Sequence, residues 1–427
     1  MKKGLSFLVV LLVCGTMIFA TGAGQKAGGA QGDTVSLLWT RNTIIDGHEL
    51  IMAEIEKRFG IKTEVEIRVG GAEGETIVKT RLAAGDMADF FIFNTGSKVN
   101  DINPDRNCVD LTGDYGSKVA PLYKSSASSN GKMYSVPVEY TAQGGVIFYN
   151  KKIYQRLGLQ IPKTWKEFLD NCDKIQASGI PALLGTFKDT WTSQLIFLSE
   201  EYYIKSAMPD WPQQYTANKS NYSNNPAALR SFEKLAETAK YLNRDYLATN
   251  LSQGLEMLAN GEVAQFSMQS HRIQYIDTNI PDKINDIGIF AQPGDDPNNI
   301  GVTVWMPSGL YIYKNSSKID AVKKWLDFLL TQEAFNLYTS KVKPGGPSVV
   351  NGLKLPSDAI PGILDMQQYF DANKYQPALE FESPVKGPNL EQLCIEVVTG
   401  RMTPRQAAVA YDQDVQKQAV LLNLPGW

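Results

Sequence analysis

The spacing of apolar positions alternates between two periods from residue 35 onward. Residues 35–40 form a short apolar run of strand length. Asp46 and Glu49 have the spacing of a capping box, and Leu50, Ile51, Ile55 and Phe59 then make a helical stripe ended by Gly60. Residues 64–69 alternate, with Val65, Ile67 and Val69 on one face of a strand. Ile77, Val78 and Leu82 mark a second helix closed at Gly85, and residues 90–93 are a continuous apolar strand. Strand, helix, strand, helix, strand is the order of an α/β lobe with a mostly parallel sheet.

The middle of the chain is more helical. Thr164 and Glu167 predict a capped helix after Pro162, running to about Gln176. Asn225 caps another with Pro226 at its first position, and Leu229, Phe232, Leu235, Ala236, Ala239 and Leu242 supply its apolar face. Val322, Trp325, Leu326 and Leu329 have helical spacing. Thr403 and Pro404 open a last helix to about Leu422. Residues 203–225 mix aromatic and polar residues with Pro, Asn and Ser, which predicts a long surface excursion. No internal repeat is present.

The first segment has a different grammar. Lys2 and Lys3 precede an apolar run over 5–13, extended by Ile18 and Phe19, and small residues follow at 20–23. This is the order of a secretory signal, with cleavage after Ala20 or Ala23. The run is shorter than the ~20 apolar residues of a membrane span. Cys14 raises lipid attachment, against which stands Val13, where a lipobox carries a small residue. Residues 24–32 read as a flexible Gly/Ala/Gln leader. Of the remaining cysteines, Cys108, Cys172 and Cys394, a 172–394 disulfide is one reading. Burial as small apolar groups is the favoured one.

At 427 residues the chain suits two lobes of roughly 150–200 residues. Its net charge of −3, with no basic block, argues against a nucleic-acid partner. His48 and His271 lack metal spacing, His48 reading as a solvated or capping residue. No nucleophile elbow or phosphate-binding P-loop is present. Gly70, Gly71 and Gly74 lie between a strand and a helix, but Glu73 and Glu75 would repel a phosphate there, so the segment reads as a tight turn. No cofactor is expected. Glu139, Glu380 and Glu382 keep open a secreted glycosidase or lyase.

Six segments in order resemble the bacterial extracellular solute-binding proteins of carbohydrate importers, the group that includes maltose-binding protein. They are RLAAGDMADFFIF (81–93), GKMYSVPVEYTAQGGVIFYNKKIYQRLGLQIPKTWKEF (131–168), LANGEVAQFSMQS (258–270), LYIYKNSSKIDAVKKWLDFLLTQEA (310–334), GGPSVV (345–350) and MTPRQAAVAYDQDV (402–415). The resemblance implies an α/β, two-lobe periplasmic-binding-protein fold of type II, with discontinuous lobes joined by hinge strands. Carried onto this chain, the crossings fall near 142–147, where Gly144 and Gly145 would allow a bend, near 286–290 and near 313–317. The N-terminal lobe is then 33–143 with 287–314, and the C-terminal lobe 144–286 with 315–427. The implied function is capture of a sugar or oligosaccharide in the interlobe cleft by an exported monomer. The implied partners are the permease subunits of an ABC importer in the cytoplasmic membrane. A surface adhesin anchored through Cys14 is a third reading.

Ligands of open α/β sheets bind beyond the carboxyl ends of strands, which selects Trp39, Arg41, Asn94 and Thr95. Sugars want aromatic platforms bordered by polar groups. Outside periodic elements that combination recurs at Glu139–Tyr140, at Asp189–Trp191 and at Trp305 with Ser308, places from which the resembled family draws contacts. The family often places a stacking tryptophan near Gln269. Here His271 and Arg272 stand instead, a departure that admits a more polar or charged ligand. Gly345 and Gly346 are expected to bring backbone close to the ligand.

Overall fold

A computed structural model describes residues 33–427 apart from Asn42 and Ile44. The expected export signal (1–23), the leader (24–32) and Cys14 lie outside the described residues. None of the described helices is long and apolar enough to cross a membrane.

Two mixed sheets organise the chain. In the first, strand Thr34–Thr40 lies between Lys62–Arg68 and Phe90–Phe93 and is parallel to both. Gly309–Ile312 adds antiparallel to Phe90–Phe93, and Ser135–Pro137 pairs with its other edge. Helices Asp46–Phe59 and Gly71–Ala84 connect the parallel strands and end on left-handed glycines, Gly60 and Gly85. Helix Asp46–Phe59 begins without a side-chain cap, so the expected capping box at Asp46 does not form.

The second sheet is built on the long strand Gln143–Asn150. Gln265–Gln269 pairs with one edge. Along the other edge Val302–Trp305 meets Gln143 and Gly144, and Ile287–Ala291 follows from Val146 to Asn150. Tyr375–Pro377 closes that side. Around this sheet lie the expected helices Trp165–Ala177, Pro226–Thr238 and Pro404–Leu421, each capped as its sequence predicts by Thr164, Asn225 and Thr403. Residues 203–225 are not a surface excursion. Helices Glu201–Ala207 and Trp211–Thr216 run through them, and Trp211, Tyr215 and Tyr222 are core residues packed on one another. Their aromatic content marks burial.

The chain crosses between the sheets at 138–142 and returns at 306–308. The second expected crossing, near 286–290, is instead the interior of strand Ile287–Ala291, whose register with Val146–Asn150 holds it in the second sheet. The third, near 313–317, is not a crossing either. Helices Ile319–Leu329 and Gln332–Thr339 stay with the first sheet, where Trp325 packs edge-on to Phe90 and donates Nε1 to Thr63. Residues 287–305 therefore pair with the second sheet and 319–339 pack on the first, the reverse of the expected allocation. The last passage lies between Thr339 and Pro361, where Ala142 and Val349 exchange backbone bonds with Pro347 and Tyr140.

Gly144 and Gly145 do not bend the chain. Both lie inside a regular strand, and a β-carbon at Gly144 would meet Met366 Cε at 2.5 Å. Cys108, Cys172 and Cys394 are free and buried, so the 172–394 disulfide reading is set aside. Burial raises all three thiols, with Cys172 at about 12.

Candidate functional site

A cleft opens where the first sheet's parallel strands end. One part, about 310 Å³, is lined from the first lobe by Thr40, Arg68, Glu75 and Asn94, from the crossings by Glu139 and Ser308, and from the second sheet by Gln143. A second part, about 280 Å³, shares Asn94 and Ser308 and adds Thr95 and Lys98 on one side, Glu380 and Phe381 on the other. A narrow extension of about 50 Å³ continues from Glu139 and Gln143 to His271, Tyr338 and Gly345. The walls thus belong to both sheets, and most of their side chains can donate or accept hydrogen bonds.

The strand ends position the first wall. Arg68, at the end of Lys62–Arg68, is 8% exposed and donates to the carbonyls of Val69 and Ile92 at 3.0 and 3.1 Å. Gly74 lets it lie there: a β-carbon at 74 would stand 2.3 Å from Arg68 Nη1. Asn94 donates to Glu75 at 2.7 Å, and Lys98 bridges the same carboxylate at 2.6 Å. Thr95 donates to the Pro307 carbonyl at 3.1 Å.

Four expected site residues are placed by the fold in other roles. Trp39 is 1% exposed in the first core, its ring edge-on to His48 and its Nε1 donating to the Thr43 carbonyl. Its strand is central and buried on both faces, Leu38 packing on the side opposite Trp39, which outweighs its place near the strand end. Tyr140 is buried between Phe335 and Tyr338, with its hydroxyl on the Leu329 carbonyl at 2.7 Å. Asp189 accepts from the Leu251 backbone at 2.7 Å and so steadies the start of helix Leu251–Asn260. Gly346 has its backbone against the crossing, since a β-carbon there would lie 1.8 Å from the Ala142 carbonyl. His48 is neither solvated nor a cap: it is fully buried, 2.6 Å from the Val138 carbonyl.

Glu139, Asn94, Thr95, Ser308, His271 and Gly345 do converge on the cleft. Arg41 is exposed beside Thr40, its backbone bonded to Arg68. Trp305 is 8% exposed and donates Nε1 to Glu380 at 2.9 Å, which ties it to the turn that lines the cleft. Gly145 makes room for that ring, a β-carbon there falling 3.1 Å from Cζ3. Gln269 pairs with Gly145 at the cleft end of the second sheet. Beyond it the turn Ser270–Ile273 carries His271 and Arg272, whose guanidinium lies 5.3 Å from the Trp191 ring centre.

Desolvation pushes the Glu139 carboxyl up to about 7. Burial, and then the Arg272 charge, hold His271 down to about 3. Of the other carboxylates weighed for acid–base chemistry, Glu382 is paired with Lys205 at 2.5 Å and Glu380 is bonded to Trp305. Among the described residues no cluster of His, Cys, Asp and Glu could hold a metal ion.

Arg68, Gln143, Met306, Lys98 and Phe381 line the cleft without having been selected from sequence. Arg68 had a usable signal, since it ends a strand just as Asn94 follows one. Lys98 and Phe381 have no local signal.

The family model described as bacterial extracellular solute-binding protein matches residues 46–334. The multiple sugar-binding protein of Streptococcus mutans is 26% identical over 294 residues, 65% of this chain and 66% of its own. The melibiose/raffinose/stachyose-binding protein MelE of Bacillus subtilis is 23% identical over 287 residues, 62% of each chain. The matched stretches thus span slightly under two thirds of these relatives' lengths. The apo form of RafE from Streptococcus pneumoniae superposes with a TM-score of 0.76 at 20% identity, covering 92% of this chain and all of that one. With a two-lobe α/β architecture, a cleft at the strand ends and a family match over most of its length, the chain belongs to the bacterial extracellular solute-binding proteins.

Proposed function

We propose that this chain is the exported binding subunit of an ABC importer, capturing a sugar or oligosaccharide between its lobes and presenting the closed form to membrane permease subunits. The observation that carries the reading is the cleft itself. Asn94, Ser308 and Arg68 on the first wall face Glu380 and Phe381 on the other, at the carboxyl ends of the parallel strands. Polar groups there match ring hydroxyls, and the Phe381 ring matches the C–H face of a sugar. Relatives named for sugars support the ligand class.

Closure of the lobes is part of the proposed cycle. A ligand that touches both walls stabilises the closed arrangement by the contacts it makes only there. The protein acts as a monomer, with its N-terminal segment removed or lipid-tethered at export. A glycosidase needs two carboxylates, and of the three candidates Glu382 and Glu380 are engaged with Lys205 and Trp305, which favours binding over hydrolysis.

The test is a thermal-shift screen of the purified mature chain against sugars, oligosaccharides and polyols, followed by calorimetry on the hits. A ligand specific for the folded form raises the melting temperature by mass action. At least one saccharide is expected to bind with a micromolar or tighter constant and to be recovered unchanged. Cleavage of the hit on incubation, or stabilisation by amino acids or peptides alone, would overturn the reading.

A further inference from the structure

Arg272 carries a charge that nothing among the described residues answers. It is half-buried, makes no ion pair or side-chain hydrogen bond there, and its Nε is enclosed without a partner. Its guanidinium is spread over the Trp191 ring at 5.3 Å. Beside it, His271 Nδ1 is also enclosed without a partner. Burial lowers Arg272 from its ordinary value, with no carboxylate acting in the other direction.

Position makes this more than a stray surface cation. The turn Ser270–Ile273 leaves strand Gln265–Gln269 at the cleft, and His271 lines its narrow end together with Glu139 and Gln143. The turn is locked to the crossing, since Ser270 accepts from Gly144 N at 2.9 Å and donates to the Gly345 carbonyl at 2.6 Å. Desolvating a cation without a counter-charge is expensive, and stacking on an indole offsets only part of it. Such an arrangement persists where a binding partner completes it. The stacking also occupies one face of Trp191, so that face is not a sugar platform.

We propose that the ligand supplies the missing counter-charge: the cleft takes a carbohydrate bearing an oxyanion, a carboxylate or a phosphate, gripped by the Arg272 fork. This rests on the carbohydrate-binding reading. A planar guanidinium matches either oxyanion through paired N–H donors. The sugar ring then reaches the polar groups of the first wall, so an acidic sugar spans both lobes. Glu139 and Lys343 share the narrow extension with His271; Lys343 is paired with Asp358, and the desolvation of Glu139 favours its neutral form, which limits repulsion of the anion.

Calorimetric titration of the mature chain tests this with three pairs of probes: an oligogalacturonide and its methyl ester, a hexose phosphate and the free hexose, and raffinose as a neutral reference with galactose. At least one acidic member is expected to bind tenfold or more tighter than its neutral partner, with a preference that shrinks as salt rises. Which pair responds distinguishes carboxylate from phosphate. Arg272→Gln brings the acidic-to-neutral affinity ratio down towards one, and Arg272→Lys restores it only in part. The wild-type ratio and its salt dependence stand even if a variant fails to fold. Equal binding of acidic and neutral members overturns the proposal while leaving the carbohydrate reading intact. Equal weakening of both by Arg272→Gln makes the residue a general hydrogen-bond donor and likewise overturns it. Binding of none of the six by the wild-type chain sinks both readings.

Discussion

Glu139 and His271 line one narrow cavity below the lobe crossing, with proton affinities displaced in opposite directions. Desolvation raises the carboxyl from 4.5 to about 7 and lowers the imidazole from 6.5 to about 3. Both shifts express the same preference of a half-buried site for neutral groups.

The sign of the pH dependence follows. Glu139, raised in the folded state, contributes stability that is fully present below pH 4.5 and is lost as pH rises through about 7. His271, depressed in the folded state, contributes stability present above pH 6.5 and lost as pH falls towards 3. Glu139→Gln removes the first branch alone. Its stability advantage over the wild type should grow between pH 5 and 7.5, by on the order of 2 kcal/mol. Urea unfolding at several pH values measures it, and parallel curves would contradict the assignment.

Gly96 and Phe381 meet across the cleft mouth. Gly96 has φ +76°, a β-carbon there would stand 2.6 Å from Phe381 Cα, and Ser97 donates to the Glu380 carbonyl at 2.8 Å. Gly96→Ala should hold the lobes apart at this edge and weaken ligand binding roughly tenfold, as expected when the closed state loses about 1.4 kcal/mol. Small-angle scattering should show a larger radius of gyration. An unchanged radius with unchanged affinity would deny this contact a part in closure.

Lys234 and Glu200 form a buried pair in the second lobe, with Nζ 2.6 Å from the carboxylate, 3.1 Å from the Pro293 carbonyl and within 5.0 Å of the Trp165 and Tyr203 ring centres. Lys234→Met leaves a carboxylate uncompensated and should lower stability by about 3–5 kcal/mol. The double change with Glu200→Met should recover most of that loss. Chemical denaturation of the three proteins checks it, and additive losses would refute the coupling.

Gly346→Ala introduces a β-carbon into the Ala142 carbonyl at 1.8 Å. Because Ala142 N donates to the Pro347 carbonyl at 3.0 Å, the strain falls on the passage between lobes. A loss of about 1–3 kcal/mol is expected, the range for forced overpacking. A melting temperature equal to the wild type would show that the passage can shift freely.

Much of the first lobe was legible because its signals are local. A short apolar run marks Thr34–Thr40 and alternation marks Lys62–Arg68, and the helices that follow them stop at glycines that adopt positive φ. The caps at Thr164, Asn225 and Thr403 were readable for the same reason: a side chain satisfies backbone donors two or three residues away. The aromatic residues were not so legible. Trp39 and Trp305 both sit near strand ends next to polar residues and both are buried, yet one bonds the Thr43 carbonyl and the other holds Glu380, a residue that lines the cleft.

Amino-acid order alone specified most of the element types and the strand ends around which the cleft is built, because propensity, capping and periodicity act within a few residues; the two-lobe class came from chain length and from the family resemblance. It did not specify which sheet residues 287–305 and 319–339 join. That depended on the register of Ile287–Ala291 with Val146–Asn150 and on Trp325 finding Phe90 and Thr63, contacts between segments more than 130 residues apart. Nor could it place Arg272 on Trp191 without a counter-charge. Pairing is a property of three-dimensional neighbours, and only the folded chain reveals which charges have been left unanswered.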